Sequence, residues 1–469
     1  MQSLRATSKR AGAFPSCCLL PSEPGGGEAA ASRVDPAASE TIFAVASGAG
    51  RTAITVLRLS GAGCASILKG LCRRPPPPRL ASLRILRNRA GEILDRGIVL
   101  WFPAPRSYTG EDCAELHLHG GRAVLAAVSQ ALLETGARPA EPGEFTRRAF
   151  LNGRLELLQA EAIADLVNAE TDAQRRQALT QLEGRLGIQY RDWAETLTRL
   201  LAAQEALIDF PDEDLPSEAE NGMLADLARL RDEIAAHLDD DRRGERLREG
   251  LTFAVTGPPN VGKSTLINAL ARREVAIVSP SPGTTRDVLE VRLDIDGVPV
   301  TLLDTAGLRE TDDPVEAEGV RRALARAAGA ELVIELVDAT APTDSAPRPG
   351  NAPRVLRIAT KADLADAPGG VALGVSGLTG LGLDRLRDHL VGVVRELTDQ
   401  AGPPPLTRAR HRAALVEALE RLTAAIGAAL PELRGEDVRL ALRAIGRVTG
   451  HVGVEDILDS VFGQFCIGK

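Results

Sequence analysis

The chain has 469 residues, of which 44% are hydrophobic, 26% charged and 3% aromatic, and its formal net charge is −8. That length predicts about two to four domains. The acidic balance excludes a protein that holds nucleic acid by its overall charge, the scarcity of aromatics excludes a groove built on base stacking, and the absence of any apolar run of about 18 residues excludes a membrane span.

Residues 1–39 contain "PSEPGGGEAAASRVDPAASE", rich in Gly, Pro, Ala and Ser and without periodicity. They are expected to be a disordered, dispensable extension rather than a targeting segment, although the Arg/Ser-rich start has some transit-peptide character. Cys17, Cys18, Cys64, Cys72, Cys113 and Cys466 make no CxxC pair. A disulfide framework and a zinc site are therefore not expected, and a reducing cytoplasm is.

Strand signals begin at "TIFAVASG" (41–48) and continue through "AITVLRLSG" (53–61) and "CAELHLHGG" (113–121). They predict a small α+β domain over 40–153. Glu115, His117 and His119 alternate and so face one side of a strand. Two His and one Glu without a further ligand read as a polar, ligand-facing edge rather than a metal site.

From residue 154 the period becomes helical. Leu179, Leu182, Leu186, Tyr190, Trp193, Leu197, Leu200 and Leu207 fall at steps of three and four, with one gap at Gln204. The spacing predicts one long helix with its stripe in a bundle core, within a first helical part over 154–249. "DFPDEDL" (209–215) breaks it with Pro211, and its acids read as a solvated turn.

Between 250 and 398, β-rich runs such as "LTFAVTG", "PVTLLDTAG", "ELVIELVD" and "RVLRIAT" alternate with helical stretches. This predicts βαβ units around a largely parallel sheet. After the linker "AGPPPL", Leu415, Leu419, Leu422 and Ile426 restore helical spacing in 399–469. The fold class is thus multidomain α+β and α/β, with the α/β domain inserted into a helical-bundle domain.

"GPPNVGKS" (257–264) has the form G-x-x-x-x-G-K-[ST] between the strand "LTFAVT" and the helix "STLINALA". The glycines let backbone N–H groups curl around phosphates at a helix N-terminus. Lys263 reaches the β and γ oxygens, and Ser264 is a Mg²⁺ ligand. "DTAG" (304–307) supplies an outer-shell acid, Asp304, and an N–H at Gly307, while Thr285 in "GTTRD" is placed to add a second Mg²⁺ ligand. In this order they predict a GTPase with two switch loops and a Ras-like α/β domain. "ATKADL" (359–364) offers Asp363 to guanine and Lys361 over the base, with Thr360 where asparagine is usual. That departure leaves an ATPase as a competing reading. Leu308 stands where Ras-like enzymes orient water with glutamine, so Asn260 is a candidate to hold a monovalent cation instead.

The words "GEDCAELHLHGG", "RRAFLNGRLELLQAEAIADL", "IDFPDED", "GPPNVGKSTL", "PGTTRDV", "DTAGLRE" and the ending "FCIGK" resemble one family within the TrmE/Era-like P-loop GTPases. It is that of the bacterial tRNA uridine-5-carboxymethylaminomethyl modification GTPases (MnmE/TrmE). The resemblance runs from about residue 41 to the end. It implies a homodimer formed through a folate-binding N-terminal domain, GTP hydrolysis stimulated by K⁺, and modification of the tRNA wobble uridine. The last step would use an FAD-containing MnmG-type partner in a heterotetramer, and 5,10-methylene- or 5-formyl-tetrahydrofolate.

The resemblance also implies site residues. Nucleotide contacts would come from Asn260, Val261, Gly262, Lys263, Ser264 and Thr265 in the P-loop. Ser279, Pro280, Ser281, Pro282, Gly283, Thr284 and Thr285 would follow from the first switch, then Asp304, Thr305, Ala306 and Gly307, then Lys361 and Asp363. Asn260, Ser279, Ser281 and Thr284 would hold K⁺, and Glu316 would position the attacking water. Arg58, Glu115, Arg154 and Lys469 would contact folate, with Arg154 replacing the usual lysine, and Cys466 would stand near the chemistry. The alternative reading is a regulatory or ribosome-assembly GTPase whose flanking domains only bind.

Overall fold

The computed structural model describes residues 40–48, 52–209, 217–276, 290–304, 328–341, 354–398 and 405–450, and a few residues from 458 to 468. The extension 1–39, Pro211, the switch residues Ser279, Pro280, Ser281, Pro282, Gly283, Thr284, Thr285, Thr305, Ala306, Gly307, Leu308 and Glu316, and the tail residues Cys466 and Lys469 lie outside the described residues.

Alternation of apolar and polar residues builds the first sheet. Its strands are β1 (Ile42–Val45), β2 (Ile54–Ser60), β3 (Ser82–Arg87), β4 (Ile93–Phe102), β5 (Cys113–His119) and β6 (Arg138–Pro139), in the order β3-β4-β5-β2-β1-β6. Only β1 and β6 pair in parallel. Leu57 and Leu59 of β2 and Leu116 and Leu118 of β5 face α1 (Cys64–Cys72) and α2 (Arg122–Leu133) in one buried cluster. Val56 and Arg58, and Glu115 and His117, therefore face the other side. α3 (Glu144–Leu151) follows.

The helical layer contains α4 (Leu157–Asn168), α5 (Asp172–Leu182), α6 (Arg185–Asp209), α7 (Ser217–Leu238) and α8 (Arg243–Glu249). The stripe expected on one helix is divided between α5 and α6. Gly184 adopts φ +82°, a left-handed turn that ends α5 in the manner of a glycine C-terminal cap. On α6 the stripe buries Leu186, Tyr190, Trp193, Leu197 and Leu200, and Gln204 with them. Gln204 is fully buried, and its Nε2 donates to the Pro431 carbonyl at 3.0 Å.

β7 (Leu251–Thr256), α9 (Lys263–Arg273), β8 (Val275–Ala276), β9 (Glu290–Ile295), β10 (Val298–Asp304), β11 (Leu332–Asp338), β12 (Val355–Thr360), β13 (Leu373–Gly374) and α10 (Leu383–Thr398) form the α/β layer. Its sheet order is β13-β12-β11-β7-β10-β9-β8, parallel from β13 to β10 and antiparallel beyond. α11 (Ala409–Gly427) and α12 (Pro431–Thr449) return to the helical core beside α6 and α7.

Charged side chains tie down both crossings between the layers. Glu161 on α4 is fully buried and accepts from Arg410 Nε at 2.6 Å, and His411 Nε2 lies 2.9 Å from it. Asp165 accepts from Arg248, just before β7, and from Arg408, just before α11. A Cβ on Gly244 would lie 2.2 Å from the Leu406 carbonyl, so the incoming and outgoing chains touch at a backbone.

His237 sits in the same bundle, its Nε2 3.1 Å from the Tyr190 hydroxyl and its ring edge-on to Trp193. Burial pushes its pKa down from 6.5 to about 4. The neutral form is thus favoured by folding, and this contribution is complete above pH 6.5 and lost as pH falls toward 4. Stability is expected to drop by an order of 3 kcal/mol across that window. Thermal melts at pH 7, 6 and 5 check this. His237→Gln should flatten the pH dependence, and an identical slope in both proteins would refute the assignment.

Candidate active site

Open α/β sheets bind ligands beyond the carboxyl ends of their parallel strands. Here that edge carries the P-loop after β7. Gly257 adopts φ +151°, and a Cβ there would lie 2.8 Å from the Leu336 carbonyl, so the loop passes close to β11 only as glycine. Asn260 is exposed and left-handed, at φ +60°. Gly262 caps α9, whose first residue is Lys263.

Lys263 is buried, and its Nζ donates to the carbonyls of Gly257 and Pro258 at 2.8 Å each. Burial lowers its pKa, while the nearby Asp304 carboxylate opposes that shift. Ser264 Oγ donates to Asp304 Oδ2 at 3.0 Å, joining the start of α9 to the tip of β10. This is a hard-oxygen pair of the kind Mg²⁺ takes. Val261 is buried beneath the loop, and Thr265 meets Gly377 of the "VSGLTGLG" loop.

Thr360, where asparagine is usual, ends β12 and is buried. Its hydroxyl donates to the Val261 carbonyl at 2.5 Å and lies 3.2 Å from the Val337 carbonyl. The short β-branched side chain thus ties the P-loop to the base loop. Lys361 is left-handed at φ +58°, with Nζ 2.5 Å from Asp338 Oδ2. Asp338 also accepts from Thr340 N and Oγ1, at 2.9 and 2.6 Å. Burial works against its charged form, yet the bonds from Lys361 and Thr340 hold its carboxyl below the usual range. Sequence reasoning missed Asp338, and its only signal was the acid closing "ELVIELVD". Asp363, two residues on from Lys361, is exposed.

A second polar group lies on the first sheet. Arg58 and Glu115 are cross-strand partners, with Arg58 Nη2 3.0 Å from Glu115 Oε1. The guanidinium also sits 5.3 Å from the Tyr108 ring centroid. His117 Nε2 lies 3.5 Å from Glu115 Oε2, whereas His119 Nδ1 turns to Asp95 at 2.8 Å. No group of three or more His, Cys, Asp or Glu side chains fit to hold a metal occurs among the described residues. Arg154 runs past Gly110, and its Nε is buried without a hydrogen-bond partner.

The end of the chain reaches this sheet. Phe462 and Phe465 are buried with Leu157, and Ile467 forms an antiparallel bridge to Pro142. Gly468 adopts φ +103°, and a Cβ there would lie 2.1 Å from the Val45 carbonyl. Val45 pairs with Leu57, the neighbour of Arg58. The described part of the tail thus ends against the strand beside the one that carries Arg58.

A P-loop opening a helix, an acid on the adjacent strand and a Lys/Asp base loop define a P-loop GTPase, here built into a helical domain. A family model described as "GTP-binding protein TrmE N-terminus" matches residues 41–154, and one described as "MnmE helical domain" matches 157–466. The tRNA modification GTPase MnmE of Gluconacetobacter diazotrophicus is 58% identical over 439 residues, covering 92% of this chain and 100% of that one. The protein of the same name from Granulibacter bethesdensis is 58% identical over 438 residues, with 92% and 99% covered. The chain belongs to the MnmE family of tRNA modification GTPases.

Proposed function

We propose that this chain hydrolyses GTP with the help of K⁺. With an FAD-containing MnmG-type partner in a heterotetramer, it adds a carboxymethylaminomethyl group to C5 of the wobble uridine of certain tRNAs in the cytoplasm. The observation that carries this reading is the tail, because Ile467 bridges to Pro142 and Gly468 lies against the Val45 carbonyl of β1, in the sheet that bears Arg58 and Glu115. A GTPase whose flanking domains only bind has no need of that arrangement.

Each residue has a task in this reading. Lys263 and the amides of the P-loop bind the phosphates, while Ser264 and Thr285 would ligate Mg²⁺, with Asp304 behind Ser264 as an outer-shell acid, and the ion would neutralise phosphate charge. Thr360 keeps the base loop against the P-loop, and Asp338 holds Lys361 in place. Asp363 meets guanine. Asn260, with Ser279, Ser281 and Thr284, holds K⁺, and Glu316 orients the water that Leu308 leaves unguided. The buried, unpartnered Arg154 Nε fits an anionic or amide ligand. Arg154, Arg58, Glu115 and Lys469 would hold a tetrahydrofolate, which supplies the one-carbon unit, with Cys466 nearby.

A second copy of the chain is expected on the β3–β4 end of the Arg58 face of the first sheet, beyond the part that Phe145 of α3 and Tyr108 cover. Leu83, Ile98, His117 and Val56 form a cross-strand row there, and Leu83 is 71% exposed. Such an apolar row suits a two-fold interface.

The test compares steady-state GTP hydrolysis in K⁺ and in Na⁺, alongside mass analysis of tRNA nucleosides from cells that lack the protein. A much higher rate in K⁺ and loss of the modified wobble uridine are expected. Glu316→Ala should slow hydrolysis far more than it weakens GTP binding. Equal rates in the two salts would remove the K⁺ role, and an unchanged nucleoside profile would remove the modification role.

A further inference from the structure

We propose that the arginine rim at the free edge of the first sheet is a docking surface for RNA phosphates. The inference rests on tRNA being the substrate, and it assigns a place where this chain grips it.

Residues 69–96 carry eight Lys and Arg against two acids, Glu92 and Asp95, within a chain whose net charge is −8. They cover the end of α1, the Pro-rich connection, edge strand β3 and the start of β4. Arg73 and Arg74 directly follow α1 and are exposed, as is Arg89 in the turn between β3 and β4. Arg84 Nε donates to the Arg74 carbonyl at 3.0 Å, and Arg87 Nη1 donates to the Gly91 carbonyl at 2.7 Å. Arg73 Nη2 lies 3.9 Å from where a Cβ on Gly91 would be. These side chains therefore gather between the end of α1 and the β3–β4 turn.

None of these five arginines pairs with a carboxylate among the described residues. Both local acids are engaged elsewhere, Asp95 with His119 and Glu92 with Asn88. In the helical layer, by contrast, Arg408, Arg410 and Arg412 all meet carboxylates. A cluster of unneutralised guanidinium groups repels itself, and a polyanion relieves that repulsion. Bonds to backbone carbonyls orient Arg84 and Arg87 without cancelling their charge and leave further N–H donors for a ligand. The guanidinium fork matches phosphate oxygens.

The form of the rim narrows the partner further. A six-residue strand is about 20 Å long, enough to follow several phosphates. The segment 69–96 holds no Phe, Tyr or Trp, so it offers no stacking platform for bases. Contacts of this kind position a nucleic acid without reading its sequence. Arg73 and Arg74 end α1, and Arg84 shares the α1 side of β3 with the buried Ser82 and Leu86, opposite Leu83, so this part of the rim faces away from the apolar row.

The experiment uses the full chain and an unmodified tRNA transcript. Arg73→Gln, Arg74→Gln and Arg89→Gln are combined in one variant, since all three are exposed. Arg421→Gln, Arg439→Gln and Arg443→Gln on the last two helices remove equal charge elsewhere. Affinity is measured over a series of salt concentrations, and GTP turnover serves as the check on folding. The rim variant is expected to bind at least about tenfold more weakly near 0.1 M salt, with a salt slope shallower by about two to three. The control variant should stay within about twofold, and all three proteins should turn over GTP alike.

Unchanged affinity and slope in the rim variant would overturn the proposal, as would equal loss in the control. Retained tRNA binding with loss of the FAD-containing partner would reassign the rim to an acidic protein surface. If the unaltered chain does not bind the transcript, the rim proposal falls. Nucleoside analysis of cells lacking the protein then decides separately whether tRNA is still the substrate.

Discussion

Removal of Ile467 to Lys469 is expected to abolish tRNA modification while GTP turnover survives. The buried Phe462 and Phe465 remain in the shortened chain, so the tail's main anchor against Leu157 is kept. What is lost is the bridge between Ile467 and Pro142, the close contact of Gly468 with the Val45 carbonyl, and the terminal lysine. A lysine meeting an anionic ligand contributes roughly 1.5–3 kcal/mol, so folate affinity should fall about tenfold to a hundredfold. Gly468→Ala probes the same point with no change in charge. Its Cβ would lie 2.1 Å from a backbone oxygen at φ +103°, so the last turn must move. Folate binding, GTP turnover and nucleoside analysis on one preparation check both variants. Normal modification by the truncated chain would make the tail a structural feature only.

Lys263→Ala is expected to lower the GTP hydrolysis rate at saturating GTP by at least about a hundredfold, the usual cost of losing one preorganised donor at a site of developing charge. Lys263 is buried at the first turn of α9, where two carbonyls of the P-loop hold its ammonium. Burial lowers its pKa, and the nearby Asp304 carboxylate opposes that shift. Alanine would leave the loop's amides in place and remove the one cation among the described P-loop residues. Arginine should not restore the rate, because a planar fork does not fit where a compact ammonium sits between two carbonyls. The fold should tolerate the change, since each lost hydrogen bond costs about 1 kcal/mol. Single-turnover rates and melting temperatures measured together check this. A near-normal rate would show that another cation replaces Lys263.

The chain's P-loop, its acid at Asp304 and its Lys361/Asp363 loop were legible in sequence because that chemistry is local. A glycine-rich loop between a strand and a helix needs only consecutive residues to cradle phosphates. Strand alternation was legible for the same reason, and it placed Glu115 and His117 on one face before any pairing was known, whereas Arg58 came only from the resemblance. Helix boundaries were less legible. The leucine spacing across residues 179–207 reads through Gly184 as though it were any other residue, whereas its left-handed backbone divides the stripe. Gln204 reads as a gap, and it is buried because the Pro431 carbonyl, distant in sequence, accepts its amide proton.

Tertiary structure alone decided the contacts between distant parts of the chain. Asp338 holds Lys361 because β11 and β12 pair in register, and no word in either strand states that register. Glu161 meets His411 and Arg410, some 250 positions away, only once the inserted α/β layer has been closed off and the helical layer rejoined. The same holds for Ile467 at Pro142. Composition and periodicity determine which residues are buried and which local motifs form, because burial and backbone geometry act over a few neighbouring residues. Which distant polar groups meet depends on how whole layers pack, where one turn of helix or one step of register changes every partner.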